Sequence, residues 1–174
     1  GKGIANGYPL SILAGKKKIM KHLEKIFFSG TFAGEVSSLA AGKATIDFIQ
    51  KNNVISKNYK KGLFLKKNIK KLLIENNLED LIQIDGHPSW LFLRVNEKSK
   101  YPKDIMLFVR QELIRSKILF LGSFNISYAH EMNDLKKVVK EFSKILPFIK
   151  KNKDKINKFV KIKNTKNLFQ IRKN

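Results

Sequence analysis

The residue types of a hydrolytic triad occur together in the run Asp85-Gly86-His87-Pro88-Ser89. In such a triad the carboxylate, the imidazole and the hydroxyl must hydrogen-bond in series. Three side chains within one tight turn can hardly form that series, whereas glycine and proline are typical of turns. We therefore predict a structural turn here and no nucleophile.

Other chemical signatures are weak or missing. The three histidines, His22, His87 and His130, lack the short spacing of metal ligands, so we predict no metal site. The chain has no cysteine, which excludes a disulfide framework, a thiolate zinc site and a cysteine nucleophile. Gly1-Lys2-Gly3 belongs to no phosphate-binding P-loop pattern, because neither a GKS/T sequence nor a preceding strand accompanies it.

The charge of the 174-residue chain is strongly positive, with 36 Lys plus Arg against 14 Asp plus Glu and a net charge of +22. Such an excess is typical of nucleic-acid binding. However, 32 of the cations are lysines, whereas base and phosphate recognition favours arginine. Lysine, isoleucine and asparagine are enriched together, and they share A- and T-rich codons, so genome composition accounts for the excess. We expect no nucleic-acid partner, and a Lys-rich nucleic-acid- or anion-binding α+β module is the alternative.

Hydropathy indicates an ordinary globular chain, since 43% of the residues are hydrophobic. The longest uncharged stretches, residues 3–15 and 118–130, are shorter than the roughly 20 residues that span a bilayer. No signal peptide or import leader is present in the sequence, so we expect a cytoplasmic protein without a membrane partner. The abrupt start, without Met, indicates a fragment of a longer protein.

Secondary-structure signals alternate along the chain. Residues 1–15, with the turn signal Asn6-Gly7, predict a loop, and small residues around Gly42 predict close approach of another backbone. Lys60, Lys67 and Lys71 fall on one face of a predicted helix, opposite its apolar residues. The predicted helices cover residues 16–26, 34–50, 56–76, from 102 and from 133. The predicted strands cover 81–85, 90–95 and 118–128, the last of them interrupted at Gly122-Ser123. We expect Pro147 to kink or end the last helix. The order ααββαβα predicts a small layered α+β domain after a loop-rich leader.

Several short segments together resemble one family, the class III aminotransferases that use pyridoxal phosphate, and especially their glutamate-1-semialdehyde aminomutase-like branch. The resemblance rests on residues 2–11, 15–20 and 29–35 and continues through Ala40-Ala41-Gly42, Gly86-His87-Pro88-Ser89 and Asn125-Ile126-Ser127-Tyr128-Ala129-His130. It covers about residues 1–150. It implies the α/β fold of type I pyridoxal-phosphate enzymes, of which this chain is mainly the small C-terminal α+β domain, with a short antiparallel sheet packed by helices.

The same resemblance implies a division of the chain into four parts. Residues 1–33 would end the large cofactor-binding domain, 34–52 would form a connecting helix, 53–150 the small C-terminal domain, and 151–174 a basic tail. The tail is cationic enough to be an interaction arm, and a poorly ordered terminus is the alternative.

The resemblance also implies the site residues. Lys2 would be the catalytic residue that forms a Schiff base with pyridoxal 5'-phosphate, with Gly3 and Gly7 letting the backbone approach the cofactor ring. Gly30 and Thr31 would bind the cofactor phosphate through a hydroxyl and free N–H groups next to a helix dipole. In the family the matching Thr serves the neighbouring subunit, so a homodimer is implied. The alternative for Thr31 is a simple helix cap.

By resemblance, the reaction is amino transfer between a small amino substrate and a keto or aldehyde substrate, or nitrogen migration within one substrate. Gly122-Ser123-Phe124 stands where the mutase branch usually has an acidic residue, so both activities stay open. The family's other cofactor-binding elements lie before its lysine. We therefore expect the 174-residue chain to be inactive alone, and a non-catalytic remnant of the family is a further alternative.

Overall fold

The computed structural model describes residues 3–27, 29–32 and 34–162. The chain divides into two compact units, residues 1–55 and residues 56–174, and each is described by itself. The predicted catalytic Lys2 lies outside the described residues.

The first unit is a series of turns followed by helices. Helix α1 is a single turn, Lys17–Met20, which continues as the 3-10 helix Lys21–Lys25. The short helix predicted at residues 16–26 is thus confirmed, although its second half is 3-10. Helix α2 is Val36–Lys51, close to the predicted 34–50.

Helix α3, Val54–Glu75, is amphipathic, and most of it belongs to the second unit. Its buried residues recur every three or four positions: Gly62, Leu65, Ile69 and Leu73. The side chains of Lys60, Lys67 and Lys71 are exposed, as the helical spacing predicts. One face of α3 therefore enters the core and the other carries positive charge.

The sheet has three antiparallel strands in the order β1-β2-β3: Ile82–His87, Trp90–Val95 and Ser123–Asn125. His87 pairs with Trp90, so only two residues form the turn between β1 and β2. The predicted strand over 118–128 shortens to three residues. Lys117 and Gly122 have φ angles of +60° and +109°, which turn the chain before β3 begins.

Helices α4, Pro102–Arg115, and α5, Met132–Asn152, belong to the same unit as the sheet. The core contains Ile82, Leu91, Val109 and Phe142, all fully or almost fully buried, among other apolar residues. Helix α5 runs through Pro147, so this proline does not end the helix, and the alternative that it kinks the helix stays a prediction. Buried Ile149 continues the apolar stripe beyond it, which favours the helical path.

The segment after α5 continues to pack against the second unit. Residues Lys153–Phe159 are 3-10 helix, and Ile156 is fully buried. The side-chain amide of Gln111, itself buried, donates to the Phe159 carbonyl at 3.1 Å and accepts from the Lys161 N–H at 2.6 Å. The first part of the basic stretch 151–174 is thus held on α4.

From α2 onward the element order is the predicted ααββαβα, and the α+β class with a short antiparallel sheet is confirmed. Within the described ranges, no helix combines the length and the apolar character needed to cross a bilayer.

Candidate functional site

The loop that follows Lys2 is closed by a tight turn. The Tyr8 N–H donates to the Ala5 carbonyl at 3.2 Å, and the Ala5 side chain is buried. Asn6 and Gly7 both have positive φ angles, +46° and +124°, the region that asparagine and glycine tolerate best. The turn predicted from Asn6-Gly7 is therefore confirmed.

Gly42, in the middle of α2, lies next to residues of this loop. A Cβ atom added at Gly42 would lie 2.5 Å from Leu10 Cδ2 and 3.9 Å from the carbonyl oxygen of Ile4. A close approach at Gly42 was predicted for another backbone, whereas the close neighbour is the Leu10 side chain and the Ile4 backbone lies at an ordinary contact distance. The segment just after Lys2 thus packs on one side of α2.

The predicted phosphate-binding residues, Gly30 and Thr31, follow the 3-10 helix Lys21–Lys25 in the sequence. Gly30 and Thr31 are exposed. Among the described residues, neither the Thr31 hydroxyl nor the backbone N–H groups of Gly30 and Thr31 have a hydrogen-bond partner. A hydroxyl and N–H groups of this kind fit the oxygen atoms of a phosphate.

Helix α2 begins at Val36, after its N-cap Glu35, and so Gly30 and Thr31 do not directly precede the helix. The Glu35 carboxylate accepts hydrogen bonds from the N–H groups of Ser38 at 2.6 Å and Ser37 at 2.9 Å. Hydrogen bonds from Ser38 and then Ser37 lower the pKa of Glu35 from 4.5 to about 2. The carboxylate is therefore ionised at neutral pH and holds the first free N–H groups of the helix.

Two expectations about Thr31 need correction. Thr31 does not cap the helix, since Glu35 does. Nor does Thr31 lie at the positive end of the helix dipole, because the helix starts at Val36 and an anionic side chain already faces its N–H groups. Any phosphate at Gly30 and Thr31 would be bound by the loop itself, and this assignment stays a prediction.

Helix α2 is the element that holds both candidate segments. The loop after Lys2 contacts Gly42, and the segment after Thr31 joins the helix at its Glu35 cap. These two points are seven residues apart, or about 10 Å along a helix axis. Helix α2 is therefore one scaffold for the segment that follows the predicted catalytic lysine and for the predicted phosphate-binding turn.

The hairpin turn between β1 and β2 shows no catalytic arrangement. His87 Nδ1 accepts the backbone N–H of Ser89 at 3.2 Å, so this nitrogen is not the donor that the aspartate of a triad requires. A Cβ atom at Gly62 would overlap the carbonyl oxygen of Pro88. The turn is thus structural, as predicted, and the structure adds that it packs against α3. In the described part of the chain, no group of three or more acidic or histidine side chains could hold a metal ion.

Sequence reasoning missed three positioning residues. The helix predicted over residues 34–50 places Glu35 inside its first turn and not at its N-cap, and glutamate is not among the preferred N-cap residues. Gly62 looks like an ordinary helical glycine, because its neighbour Pro88 is distant in sequence. Gln111 lies on the face of α4 that enters the core. A polar residue among the apolar residues of that face was the one sign in the sequence that it needs hydrogen-bond partners.

Comparison with known proteins identifies one family. A family model described as "Aminotransferase class-III" matches residues 1–114. A glutamate-1-semialdehyde 2,1-aminomutase from Wigglesworthia glossinidia brevipalpis is 26% identical over 165 residues, which is 86% of this chain and 38% of that protein. A 3-aminobutyryl-CoA aminotransferase from Cloacimonas acidaminovorans (strain Evry) is 27% identical over 157 residues, 87% of this chain and 37% of that protein.

Solved structures give the same fold. The PLP internal aldimine form of the FumI protein of Sphingopyxis sp. MTA144 superimposes with a TM-score of 0.71 at 19% identity. The match covers 89% of this chain and 37% of that one. The chain thus spans less than two fifths of the length of these similar proteins.

Proposed function

Because the chain belongs to the class-III aminotransferase family, we propose that it is the C-terminal part of a cytoplasmic aminotransferase or aminomutase that uses pyridoxal 5'-phosphate. The observation that carries this proposal is the family match over residues 1–114, which includes Lys2, Gly30 and Thr31. The substrates would be a small amine and a keto or aldehyde compound. The two curated relatives support both activities, since one is an aminomutase and the other an aminotransferase.

Lys2 is the proposed catalytic residue. When bound, pyridoxal 5'-phosphate supplies an aldehyde for covalent attachment of amines and a ring that accepts electrons from the substrate carbon. The Lys2 ε-amine would hold the cofactor between turnovers and, when freed by the substrate amine, move a proton to and from the reacting carbon. The turn at Ala5–Tyr8 and the contact of Leu10 with α2 fix the chain that follows Lys2 in the sequence.

Thr31 and Gly30 are the proposed phosphate-binding residues, contributed to the active site of a second subunit. The exposed hydroxyl and the N–H groups without partners support this role, since a phosphate needs donors that are not already used. A loop that binds a ligand of another subunit makes the homodimer necessary for activity.

Exposed apolar residues also support the proposals that the chain is part of a longer polypeptide and that this polypeptide forms a homodimer. In the described part of residues 1–55, Ala5 is the only buried apolar side chain. Large apolar side chains are exposed there, and Phe27, Phe32 and Val36 are 96%, 67% and 74% exposed. An apolar surface of this extent is typical of one that another polypeptide covers.

Borohydride reduction of the intact protein with bound cofactor, followed by peptide mass spectrometry, tests the proposal. The cofactor adduct is expected on Lys2 and absent from a Lys2→Arg variant. A Lys16→Arg variant, altered at another lysine of the same loop-rich segment, should keep the adduct on Lys2. An adduct on a different lysine, or no adduct together with salt-dependent binding of unrelated RNA, would overturn the proposal in favour of a binding module.

A further inference from the structure

Strand β3 leaves one edge of the sheet open. The Leu93 N–H donates to the Gly122 carbonyl at 3.0 Å, and the Ile126 N–H donates to the Ser89 carbonyl at 3.0 Å. Hydrogen-bonded positions alternate along an antiparallel strand, so Phe124 faces β2 in the same way. The backbone N–H and C=O groups of Ser123 and Asn125 therefore point away from the sheet. None of these four groups has a partner among the described residues.

An apolar groove lies along this open edge. It has a volume of about 510 Å³, and the residues that matter for its chemistry are Lys117, Leu119, Leu121, His130, Asp134 and Lys137. We call it the β3 groove. The side chains of Leu119 and Leu121 are 82% and 72% exposed, which is unusual for two leucines so close to a free strand edge.

We propose that the β3 groove holds an extended segment of the same polypeptide from outside residues 1–174, which adds a fourth strand beside Ser123 and Asn125. Unpaired strand edges bind extended segments through main-chain hydrogen bonds, and neighbouring apolar side chains give the added strand its specificity. Here the edge offers two N–H and two C=O groups, and Leu119 and Leu121 offer the apolar contact.

The shortness of the edge decides between a separate partner and a linked one. Four backbone hydrogen bonds and two leucines form a contact too small for a stable complex between free proteins. A covalently linked segment meets its site at an effective concentration in about the millimolar range, which makes a weak contact sufficient. The chain spans only 38% and 37% of its relatives, so the intact polypeptide has residues to supply. To this extent the inference rests on the proposed function.

Charge argues against a second copy of this chain as the occupant. Two lysines, Lys117 and Lys137, line the β3 groove against one aspartate, Asp134. Two such surfaces repel each other, whereas an apolar segment with an acidic residue would be attracted. Carbodiimide cross-linking of the intact protein should therefore join Lys137 to a carboxylate outside residues 1–174.

Hydrogen exchange of the intact protein, measured by NMR at two protein concentrations, tests the pairing. The amides of Ser123 and Asn125 are expected to exchange slower than unstructured amides by a factor on the order of 100, independently of concentration. Free exchange at both amides would overturn the proposal. Protection that rises with protein concentration would also overturn it and would identify a second copy. The Lys2 adduct is unaffected by either result, so failure here is distinguishable from failure of the proposed function.

A pair of variants provides an independent test. Leu121→Ser should lower the thermal midpoint of the intact protein by about 4 °C, because it removes apolar contact with the added strand. Ile74→Ser, at a side chain 60% exposed on α3, is the matched control and should change the midpoint by less than about 1 °C. Equal shifts for the two variants would contradict the proposal.

Discussion

Gly62 of α3 and Pro88 of the hairpin turn meet so closely that the Pro88 carbonyl occupies the space of a side chain at position 62. Both residues are buried. The neighbour is backbone, which cannot rotate away as the end of a flexible side chain could. Glycine at position 62 therefore sets the distance between α3 and the sheet.

Gly62→Ala is expected to destabilise the protein by about 2 kcal/mol or more, even though alanine favours helix formation, because the turn must move away from α3. Urea unfolding checks this. The matched control is Gly34→Ala, where an added Cβ atom would meet nothing within 4 Å, and its effect should stay within about 0.5 kcal/mol. Equal stability of the two variants would contradict the role of Gly62.

Thr31→Ala in the intact protein is expected to weaken pyridoxal 5'-phosphate binding about tenfold, the loss expected for one hydrogen bond to a charged group. Thr31→Ser keeps the hydroxyl and should bind nearly as the wild type does. Affinity for pyridoxal, which has no phosphate, is the control measurement and should be the same in all three proteins. Equal weakening of pyridoxal binding would argue for a structural effect instead.

The Glu35 cap gives a prediction about pH. Its lowered pKa means that the contribution of the cap to stability is complete above the unfolded value of 4.5 and is lost as the pH falls toward 2. Amide exchange of Ser37 and Ser38 should therefore stay protected at pH 4, after correction for intrinsic rates. Glu35→Ala should lose this protection at pH 4 and at pH 6, whereas Glu24→Ala should keep it.

Gln111→Leu is expected to release the segment after α5, because it leaves the Lys161 N–H and the Phe159 carbonyl without their partner. The cost should be about 1–3 kcal/mol. Trypsin cleavage after Lys158 and Lys161 should become faster, while cleavage after Lys98, in the loop following β2, should keep its wild-type rate. Unchanged cleavage at all three positions would show that other contacts hold the segment.

Much of the fold could be predicted from the sequence because it depends on local patterns. The apolar spacing in α3 and the alternation at Trp90–Val95 are written in consecutive residues, and both elements were found. The errors come from contacts between distant residues. His87 extends β1 because it pairs with Trp90, and α5 continues past Pro147 because Ile149 is buried.

The site was harder to predict than the fold. The Asn6-Gly7 turn and the small residue Gly42 were found, since both follow from the residue type alone. The N-cap of α2 was not predicted, because serine and threonine are preferred over glutamate at that position. In the structure the N-cap is Glu35. The role of Lys2 cannot be read from a composition with 32 lysines and came only from family resemblance.

The hold of Gln111 on Lys161 and Ile162 has a practical use in distance measurements. A fluorophore attached at Lys161, whose exposed side chain starts from a backbone held by Gln111, stays within the reach of its own linker from that fixed point. Energy transfer from this dye to one placed elsewhere in the intact protein would therefore report a bounded range of separations.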